Sequence, residues 1–321
     1  MHILINGWFA GRLETGSGQY LHQLLTHLAG REKGVRYTLL VPNATAIEPA
    51  LPNVTVMQGA LIPGPRQLTK VWWEQVTVPR TARSLAADAL WVPYWAAPLR
   101  QPVPTVVTVH DMIPRLLPAY RGGAPQRLYT RLVSASARRA AAAITVSNAA
   151  ARDIVAELNI DPSRVHAVPH GPNAMTPDAL EPDQLAAVRA RYNLPPRYFL
   201  YLGGFDVRKN VGGILAGYAR YLTQGGDAAV KLVIVGKLPT HDSAFAPDPQ
   251  KAAADLGIAD AVIFCGWAPD EDKPALYHMA VAYLFPSLYE GFGMTVIEAM
   301  QAGTPVVTSA TENTKSNRPI T

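Results

Sequence analysis

The sequence predicts an α/β protein with two Rossmann-like domains, each a parallel sheet covered by helices. Short apolar runs alternate along the whole chain with Ala-, Leu- and Arg-rich stretches of helical period, which is the pattern of strands joined by crossover helices. The length of 321 residues suits two domains of about 150 residues each. The alternation stops in a proline-rich stretch at 169–196 and then starts again. We therefore predict an N-terminal domain over 1–178 and a C-terminal domain over 179–321.

The predicted strands are short and apolar, as expected of strands covered on both faces. In order, they are 3–6, 37–41, 54–58, 89–92, 105–110, 143–147, 165–168, 198–202, 231–235, 262–265, 282–285 and 305–308. The predicted helices of the first half are 18–28, 69–86, 127–139 and 148–158. Ser147 is the expected N-cap of the last of these, because its hydroxyl can accept a hydrogen bond from a free backbone amide.

Composition limits the class of protein. Hydrophobic residues make up 49% of the chain and charged residues 17%, which excludes a disordered protein or a highly charged tail protein. The net charge of +5 favours anionic partners, but the basic residues are not gathered with stacking aromatics on one stripe, so nucleic acid is not an expected partner. Cys265 is the sole cysteine and cannot form an internal disulfide, and we expect it to be a buried core thiol.

The start of the chain has the pattern of a first strand and not of a signal peptide. No apolar run approaches the roughly 18 residues needed to span a bilayer. We therefore expect a cytoplasmic protein, with peripheral contact at the inner face of a membrane left open.

Two glycine-containing loops follow predicted strands and begin predicted helices. In the first, Gly16 and Gly18 allow close backbone approach to a ligand, and free amides at the helix start favour an anion. In the second, Gly204 precedes Arg208 and Lys209, whose charges suit a diphosphate. An ordinary turn explains the first loop equally well, and a solvated charged turn is the alternative for the second.

A third loop, near the C-terminus, contains two carboxylates. Glu290 precedes Gly291 and Gly293, and Glu298 lies in the helix that follows. Carboxylates in this position can accept hydrogen bonds from sugar and ribose hydroxyls, although Glu290 could simply cap the helix and Glu298 could be a surface residue. His110 ends a predicted strand and is a further candidate, with a structural role as the alternative.

Together these segments resemble the group 1 family of retaining glycosyltransferases, which have the GT-B fold of two domains facing a cleft. The strongest element is Glu290 to Glu298, which matches the family's Glu-x7-Glu motif. The segment Trp73-Glu74-Gln75, followed by His110-Asp111, is similar to the bacterial mannosyltransferase-like branch.

The resemblance implies a role for each candidate residue. Arg208 and Lys209 are expected to hold the diphosphate of a nucleotide sugar, and Glu298 to bind its ribose. Contacts to the donor hexose are implied for Glu290 and for the backbone of Phe292, Gly293 and Met294. Gly16 and Gly18 are expected to close over the phosphates, and Gly204 to belong to the phosphate loop. His110 is expected to face the reacting sugar. Gly236 and Lys237 are expected to border the nucleotide.

The implied reaction is transfer of a hexose, with mannose as one candidate, from a GDP- or UDP-sugar to a saccharide or lipid-linked saccharide acceptor in glycan biosynthesis. No credible metal loop of the Asp-x-Asp type is found, so metal-independent transfer without a cofactor is expected. Two alternatives remain open: a nucleotide-sugar 2-epimerase of the same fold, and an inactive nucleotide-binding protein. The second alternative follows from the polar segment 310–321, which leads us to expect a truncated C-terminal domain.

Overall fold

The computed structural model describes residues 1–28, 31, 34–43, 51–171 and 180–309. The chain divides into two compact units, Met1–Pro169 (unit 1) and His170–Thr321 (unit 2). The predicted domain boundary at 178/179 and the polar segment 310–321 lie outside the described residues. The boundary therefore stays a prediction.

Each unit is built on one parallel sheet. The strands are β1 (His2–Asn6), β2 (Arg36–Val41), β3 (Val54–Gln58), β4 (Ala89–Val92), β5 (Thr105–Thr108), β6 (Ala142–Thr145), β7 (Val165–Ala167), β8 (Arg197–Leu202), β9 (Val230–Val235), β10 (Val262–Gly266), β11 (Ala282–Phe285) and β12 (Val306–Thr308). Within the described residues, the order is β3-β2-β1-β4-β5-β6-β7 in unit 1 and β10-β9-β8-β11-β12 in unit 2. The predicted parallel α/β architecture is confirmed.

Helices connect these strands. They are α1 (Gly16–Leu28), α2 (Arg66–Trp72), α3 (Val78–Ser84), α4 (Ile113–Leu116), α5 (Ala124–Arg139), α6 (Asn148–Leu158), α7 (Pro182–Arg191), α8 (Val211–Thr223), α9 (Pro249–Asp255), α10 (Lys273–His278) and α11 (Met294–Gln301). The predicted cap of α6 is confirmed, because the Ser147 hydroxyl accepts a hydrogen bond from the backbone N–H of Ala150 at 3.1 Å. In the described residues no helix is long and apolar enough to cross a membrane.

Two of the predicted elements differ from the structure by more than a shift of their ends or in a way that affects a site residue. The strand predicted at 105–110 ends at Thr108, so His110 lies in the loop beyond the sheet. The single helix predicted at 69–86 is instead α2 and α3 joined by a π-helical turn, Trp73–Thr77. Pro79 explains the turn, because a proline has no N–H to continue the regular i→i−4 ladder and the hydrogen bonds widen before it.

The connectivity determines where a ligand would bind in each unit. In unit 1, β1 lies between β2 and β4, and in unit 2, β8 lies between β9 and β11. At both places the strand order reverses, which leaves a crevice outside the carboxyl ends of the two central strands. A ligand is therefore expected beside the residues after β1 and β4 in unit 1, and after β8 and β11 in unit 2.

The core of unit 2 is unusually rich in tyrosine. Tyr198, Tyr201, Tyr277 and Tyr283 are all almost completely buried. Cys265 packs at the edge of this core, where burial raises the pKa of its thiol to about 11. The prediction of a core thiol was too strong in one respect, because Cys265 is half-buried.

Candidate functional site

The loops that follow β8 and β11 are joined by hydrogen bonds. The backbone N–H of Leu288 donates to the carbonyl of Arg208 at 2.8 Å. The side-chain amide of Asn210 donates to the carbonyl of Pro286 at 3.2 Å. Two segments about eighty residues apart in sequence thus form one rigid edge at the reversal point of the sheet in unit 2.

Three of the predicted site residues meet at this edge as a charge cluster. One carboxylate oxygen of Glu290 lies 2.5 Å from Nη1 of Arg208, and the other lies 2.7 Å from Nζ of Lys209. Nε of Arg208 lies 3.4 Å from a carboxylate oxygen of Asp206, and its Nη1 donates to the carbonyl of Tyr289 at 3.1 Å. The three predicted side chains remain 11–19% exposed. The two cations are thus fixed in position but still reachable from solvent.

Glycines keep the backbone beside this cluster bare of side chains. A Cβ on Gly236 would lie 2.1 Å from the carbonyl oxygen of Gly203, and Gly236 has φ +155°, so only glycine fits there. The Tyr201 hydroxyl donates to the carbonyl of Gly204 and fixes the conformation of the loop. Burial raises the pKa of Tyr201 far above that of a free tyrosine, so this hydroxyl keeps its proton. Lys237 follows Gly236 and is exposed.

Helix α11 begins at the same edge. Gly293 precedes it with φ +88°, a backbone conformation that glycine adopts at no steric cost, and Met294 is its first residue. The neighbouring Phe292 is buried and packs edge-on against the ring of His170 at 5.2 Å. Burial lowers the pKa of His170, so the imidazole against Phe292 favours its neutral form.

Glu298 is the fourth residue after the first residue of α11 and has its own partner. The hydroxyl of the buried Tyr277 donates to a carboxylate oxygen of Glu298 at 3.1 Å. Glu298 is thus held by a different residue from those that hold Glu290, and one of its oxygens already accepts a hydrogen bond.

The predicted site residues of unit 1 lie at the start of α1 and after β5. The ring of Tyr20 in α1 packs edge-on against His110 at 4.8 Å, so the Gly16–Gly18 turn and His110 share one region of unit 1. The two glycines differ in their surroundings. A Cβ on Gly18 would lie 2.0 Å from the carbonyl oxygen of Arg12, whereas one on Gly16 would meet no atom within 4 Å.

The segment Trp73-Glu74-Gln75 holds three parts of unit 1 together through side-chain hydrogen bonds. The Trp73 indole donates to the side-chain oxygen of Asn6 at the end of β1 (2.8 Å), and the Gln75 side chain accepts from the N–H of Leu99 (2.9 Å). Glu74 is fully buried, accepts a hydrogen bond from Tyr129 of α5 at 3.0 Å and lies 3.4 Å from Nζ of Lys70. The motif thus joins the end of β1, the segment after β4 and α5.

The same lysine lies beside three aromatic rings, with 24% of its side chain exposed. The Lys70 ammonium lies 4.8–5.6 Å from the ring centres of Phe9, Tyr94 and Tyr129. Burial raises the pKa of Glu74, and the Lys70 charge opposes that shift. The surroundings indicate a structural ion pair.

Sequence reasoning found the charged residues of unit 2 but missed their supports, Asp206, Tyr201, Tyr277 and Tyr289. A carboxylate two residues before Arg208 was a usable signal for Asp206, whereas the tyrosines carried no local signal. In the described residues no group of three or more His, Cys, Asp or Glu side chains is arranged to hold a metal ion.

Two family profiles match the chain. The profile described as "Glycosyl transferases group 1" matches residues 187–316, and the one described as "Glycosyltransferase Family 4" matches residues 15–174. Between them they include the site residues of both units. The chain belongs to the group 1 glycosyltransferase family, as the motifs of the sequence predicted.

Curated relatives are similar over part of their length. The O-antigen chain mannosyltransferase B of Escherichia coli is 30% identical over 208 residues, which cover 64% of this chain and 52% of the relative. The MMP alpha-(1->4)-mannosyltransferase of Mycolicibacterium hassiacum is 33% identical over 174 residues, covering 54% of this chain and 38% of the relative. The chain spans about half the length, or less, of these relatives.

Solved structures share the fold. The sucrose-phosphate synthase of Thermosynechococcus elongatus gives a TM-score of 0.68 at 20% identity, covering 97% of this chain and 81% of that one. The Anabaena protein Alr3699/HepE, solved in complex with UDP, gives 0.69 at 17% identity, covering 98% and 82%. The predicted GT-B class is confirmed.

Proposed function

We propose that this protein is a retaining hexosyltransferase that moves a hexose from a GDP- or UDP-sugar to a saccharide or lipid-linked saccharide acceptor. The observation that carries the proposal is the cluster of Arg208, Lys209 and Glu290 beside glycine-lined backbone at the reversal point of the sheet in unit 2. Family membership and the similarity to two mannosyltransferases support it, and mannose is accordingly the first hexose to test.

The reaction needs a leaving group to be stabilised. The bond between the anomeric carbon and the β-phosphate oxygen breaks, and its electron pair stays on that oxygen. The acceptor hydroxyl oxygen forms the new bond to the anomeric carbon on the same face, and its proton passes to the departing diphosphate. Arg208 and Lys209 supply fixed positive charge where the negative charge develops, which is the largest contribution that such a site can make.

The ion pairs of Glu290 with Arg208 and Lys209 must rearrange when a donor binds. Glu290 neutralises both cations through its two oxygens, so a diphosphate must share or replace those contacts. Glu290 then becomes available to accept hydrogen bonds from the hexose hydroxyls, and Glu298, steadied by Tyr277, to accept them from the ribose. Backbone of Phe292, Gly293 and Met294 borders the hexose in this scheme.

The same charges account for the proposed absence of a metal requirement. Two cations and the free amides at the start of α11 suffice to balance the diphosphate. The donor is thus the only nucleotide-containing component, and no cofactor enters the scheme.

We further propose that the protein is cytoplasmic and meets its acceptor at the inner surface of a membrane. Residues 51–139 contain 11 Lys and Arg against 3 Asp and Glu, a formal +8, whereas the rest of the chain carries 18 against 21, a formal −3. Leu68 and Trp72 of α2 and Leu128 of α5 are exposed in this basic segment. Basic and apolar side chains together favour contact with anionic lipid, where a lipid-linked acceptor would lie.

The test is consumption of a labelled donor by the purified chain. GDP-mannose, UDP-glucose and their epimers are each incubated with a panel of saccharide acceptors and with anionic vesicles containing lipid-linked saccharides. We expect label in a glycosylated product with the anomeric configuration of the donor, formed far more slowly by Arg208→Ala. An isomerised sugar without acceptor would support an epimerase instead, and no consumption of any donor would contradict the proposal.

A further inference from the structure

The charge cluster after β8 and β11 is formally neutral, although the ligand proposed for it is an anion. Arg208 and Lys209 supply two positive charges, and carboxylate oxygens of Glu290 and Asp206 lie 2.5–3.4 Å from them. The four formal charges cancel. A site arranged only to bind a diphosphate tightly would leave its cations uncompensated, because each nearby carboxylate repels the ligand. The carboxylates therefore need an explanation of their own.

The two cations do not depend on Glu290 alone for their positions. Nε of Arg208 lies 3.4 Å from a carboxylate oxygen of Asp206. Lys209 donates its backbone N–H to the carbonyl of Asp206 at 2.8 Å, and its ammonium lies 5.7 Å from the ring centre of Phe285. Each cation keeps these supports when Glu290 is changed. The ion pairs of Glu290 are thus better explained by an effect on the ligand than by a need to hold the cations.

The donor and the released nucleoside diphosphate differ at the end that meets Glu290 in the proposed scheme. In the donor, the second phosphate is esterified to the hexose and carries one negative charge, and the hexose hydroxyls can donate hydrogen bonds. In the released diphosphate, that phosphate is terminal and carries about −1.5 to −2 charges at pH 7, with an anionic oxygen in place of the hexose. Two fixed cations alone would therefore bind the product more tightly than the donor.

We propose that Glu290 reverses this preference, so that the site binds the intact donor in preference to the released diphosphate. The inference rests on the proposed function and deepens it, because it gives Glu290 a part in product release besides its contact to the hexose. With the donor bound, the hexose hydroxyls donate to the carboxylate in charge-assisted hydrogen bonds. After transfer, the same carboxylate faces the additional negative charge of the product and competes with it for Arg208 and Lys209. The product is thus held weakly and leaves.

The experiment compares donor and product in the same variants. GDP-mannose and GDP, and UDP-glucose and UDP, are titrated calorimetrically without acceptor into the wild type, Glu290→Gln, Glu290→Ala and a control, Asp227→Asn. Glutamine keeps the size and hydrogen-bonding capacity of Glu290 but not its charge. Asp227 pairs with Arg197 at the start of β8, the opposite end of that strand from the cluster. The control therefore removes an equal charge from unit 2 away from the site.

The two ligands should respond differently to the loss of the Glu290 charge. For the nucleotide that the wild type binds, we expect the diphosphate to bind about tenfold more tightly to Glu290→Gln, because a repulsion is removed. The donor should change by less than about threefold, since it also loses charge-assisted hydrogen bonds. We expect Glu290→Ala to bind the diphosphate more tightly and the donor more weakly than the wild type. Asp227→Asn should leave both affinities within about twofold.

The remaining results each overturn the inference. If the wild type binds the donor, and Glu290→Gln binds the diphosphate no more tightly than the wild type does, the preference is rejected and the proposed function stands. Equal tightening of donor and diphosphate would show a general effect of charge. Loss of both ligands in both Glu290 variants would assign Glu290 to holding the cations in place. If the wild type binds none of these nucleotides, the proposed function fails first, and the inference fails with it.

Discussion

Each unit contains a lysine–glutamate ion pair near the carboxyl edge of its sheet, and the two pairs have opposite surroundings. In unit 1, Glu74 is fully buried, and the Lys70 ammonium lies beside three aromatic rings with 24% of its side chain exposed. In unit 2, Glu290 holds Lys209 and also Arg208 beside glycine backbone, and all three side chains remain partly exposed. The same chemistry thus serves two purposes: a pair whose carboxylate is sealed by packing stabilises the fold, and a pair whose carboxylate is open to solvent beside glycines can exchange its partner for a ligand.

The largest effect is expected from breaking the sealed pair. Glu74→Ala leaves a largely enclosed ammonium and the Tyr129 hydroxyl without their acceptor, so we expect a loss of about 3–5 kcal/mol in the free energy of unfolding of unit 1. Urea unfolding followed by tryptophan fluorescence reports mainly on unit 1, which contains five of the six tryptophans. Glu14→Ala, which removes an exposed partner of Arg12, is the control and should cost under about 1 kcal/mol. Equal losses in the two variants would remove the distinction between the sealed pair and a surface pair.

The open pair should respond in the opposite manner. Arg208→Ala removes a cation that stabilises the leaving group, so we expect turnover to fall about 100- to 1000-fold. Glu290 keeps its ion pair with Lys209, so we expect a smaller loss in the free energy of unfolding than in Glu74→Ala. Arg208→Lys is the matched control, since it retains the charge but loses the planar fork. We expect it to recover part of the rate in steady-state assays of nucleotide release. Normal turnover in Arg208→Ala would show that unit 2 does not use this cation.

The two glycines of unit 1 provide a finer comparison. Gly18→Ala forces a Cβ against the carbonyl of Arg12, and we expect it to destabilise unit 1 by about 1–3 kcal/mol. Gly16→Ala meets open space and should change stability by less than about 0.5 kcal/mol. If Gly16 approaches the donor phosphates, its alanine variant should instead raise the KM for the donor. Equal stability of the two variants in urea would contradict the packing role of Gly18.

The smallest effect is expected from pH. Because burial lowers the pKa of His170, the folded state binds fewer protons than the unfolded chain once the pH falls below about 6.5. The free energy of unfolding of unit 2 should therefore decrease as the pH falls from 7 to 5, and His170→Asn should reduce that dependence. Thermal melting followed by circular dichroism at three pH values measures it. Identical slopes in wild type and variant would assign the pH dependence to other groups.

The sequence was sufficient for the fold because each strand carries its own apolar pattern. All twelve predicted strands are present, and those at 54–58, 89–92 and 282–285 have the predicted bounds. The predicted bounds were wrong where the local apolar pattern does not by itself determine where an element ends. Strand β5 ends before His110, and Pro79 divides a stretch whose periodicity predicts one helix.

The candidate site was predictable in its residues but not in its pairings. Glycines, adjacent cations and carboxylates after strands are local signals, and they identified Arg208, Lys209 and Glu290. The pairing of Glu290 with Arg208 and Lys209 joins residues separated by 82 and 81 positions, and the support of Glu298 by Tyr277 joins residues separated by 21. Such contacts are set by the order of strands in the sheet, which no short motif contains. The role of each residue toward a donor remains a prediction.

A calorimetric titration tests the donor site of unit 2 most directly. Purified wild type and Arg208→Ala are titrated with GDP and with UDP, and the nucleosides guanosine and uridine serve as controls without phosphate. We predict saturable binding of at least one diphosphate to the wild type, far weaker binding of the matching nucleoside, and a large loss of diphosphate affinity in Arg208→Ala. Binding of diphosphate and nucleoside with equal affinity, or equal binding to both proteins, would contradict the assignment of Arg208 and Lys209 to the phosphates.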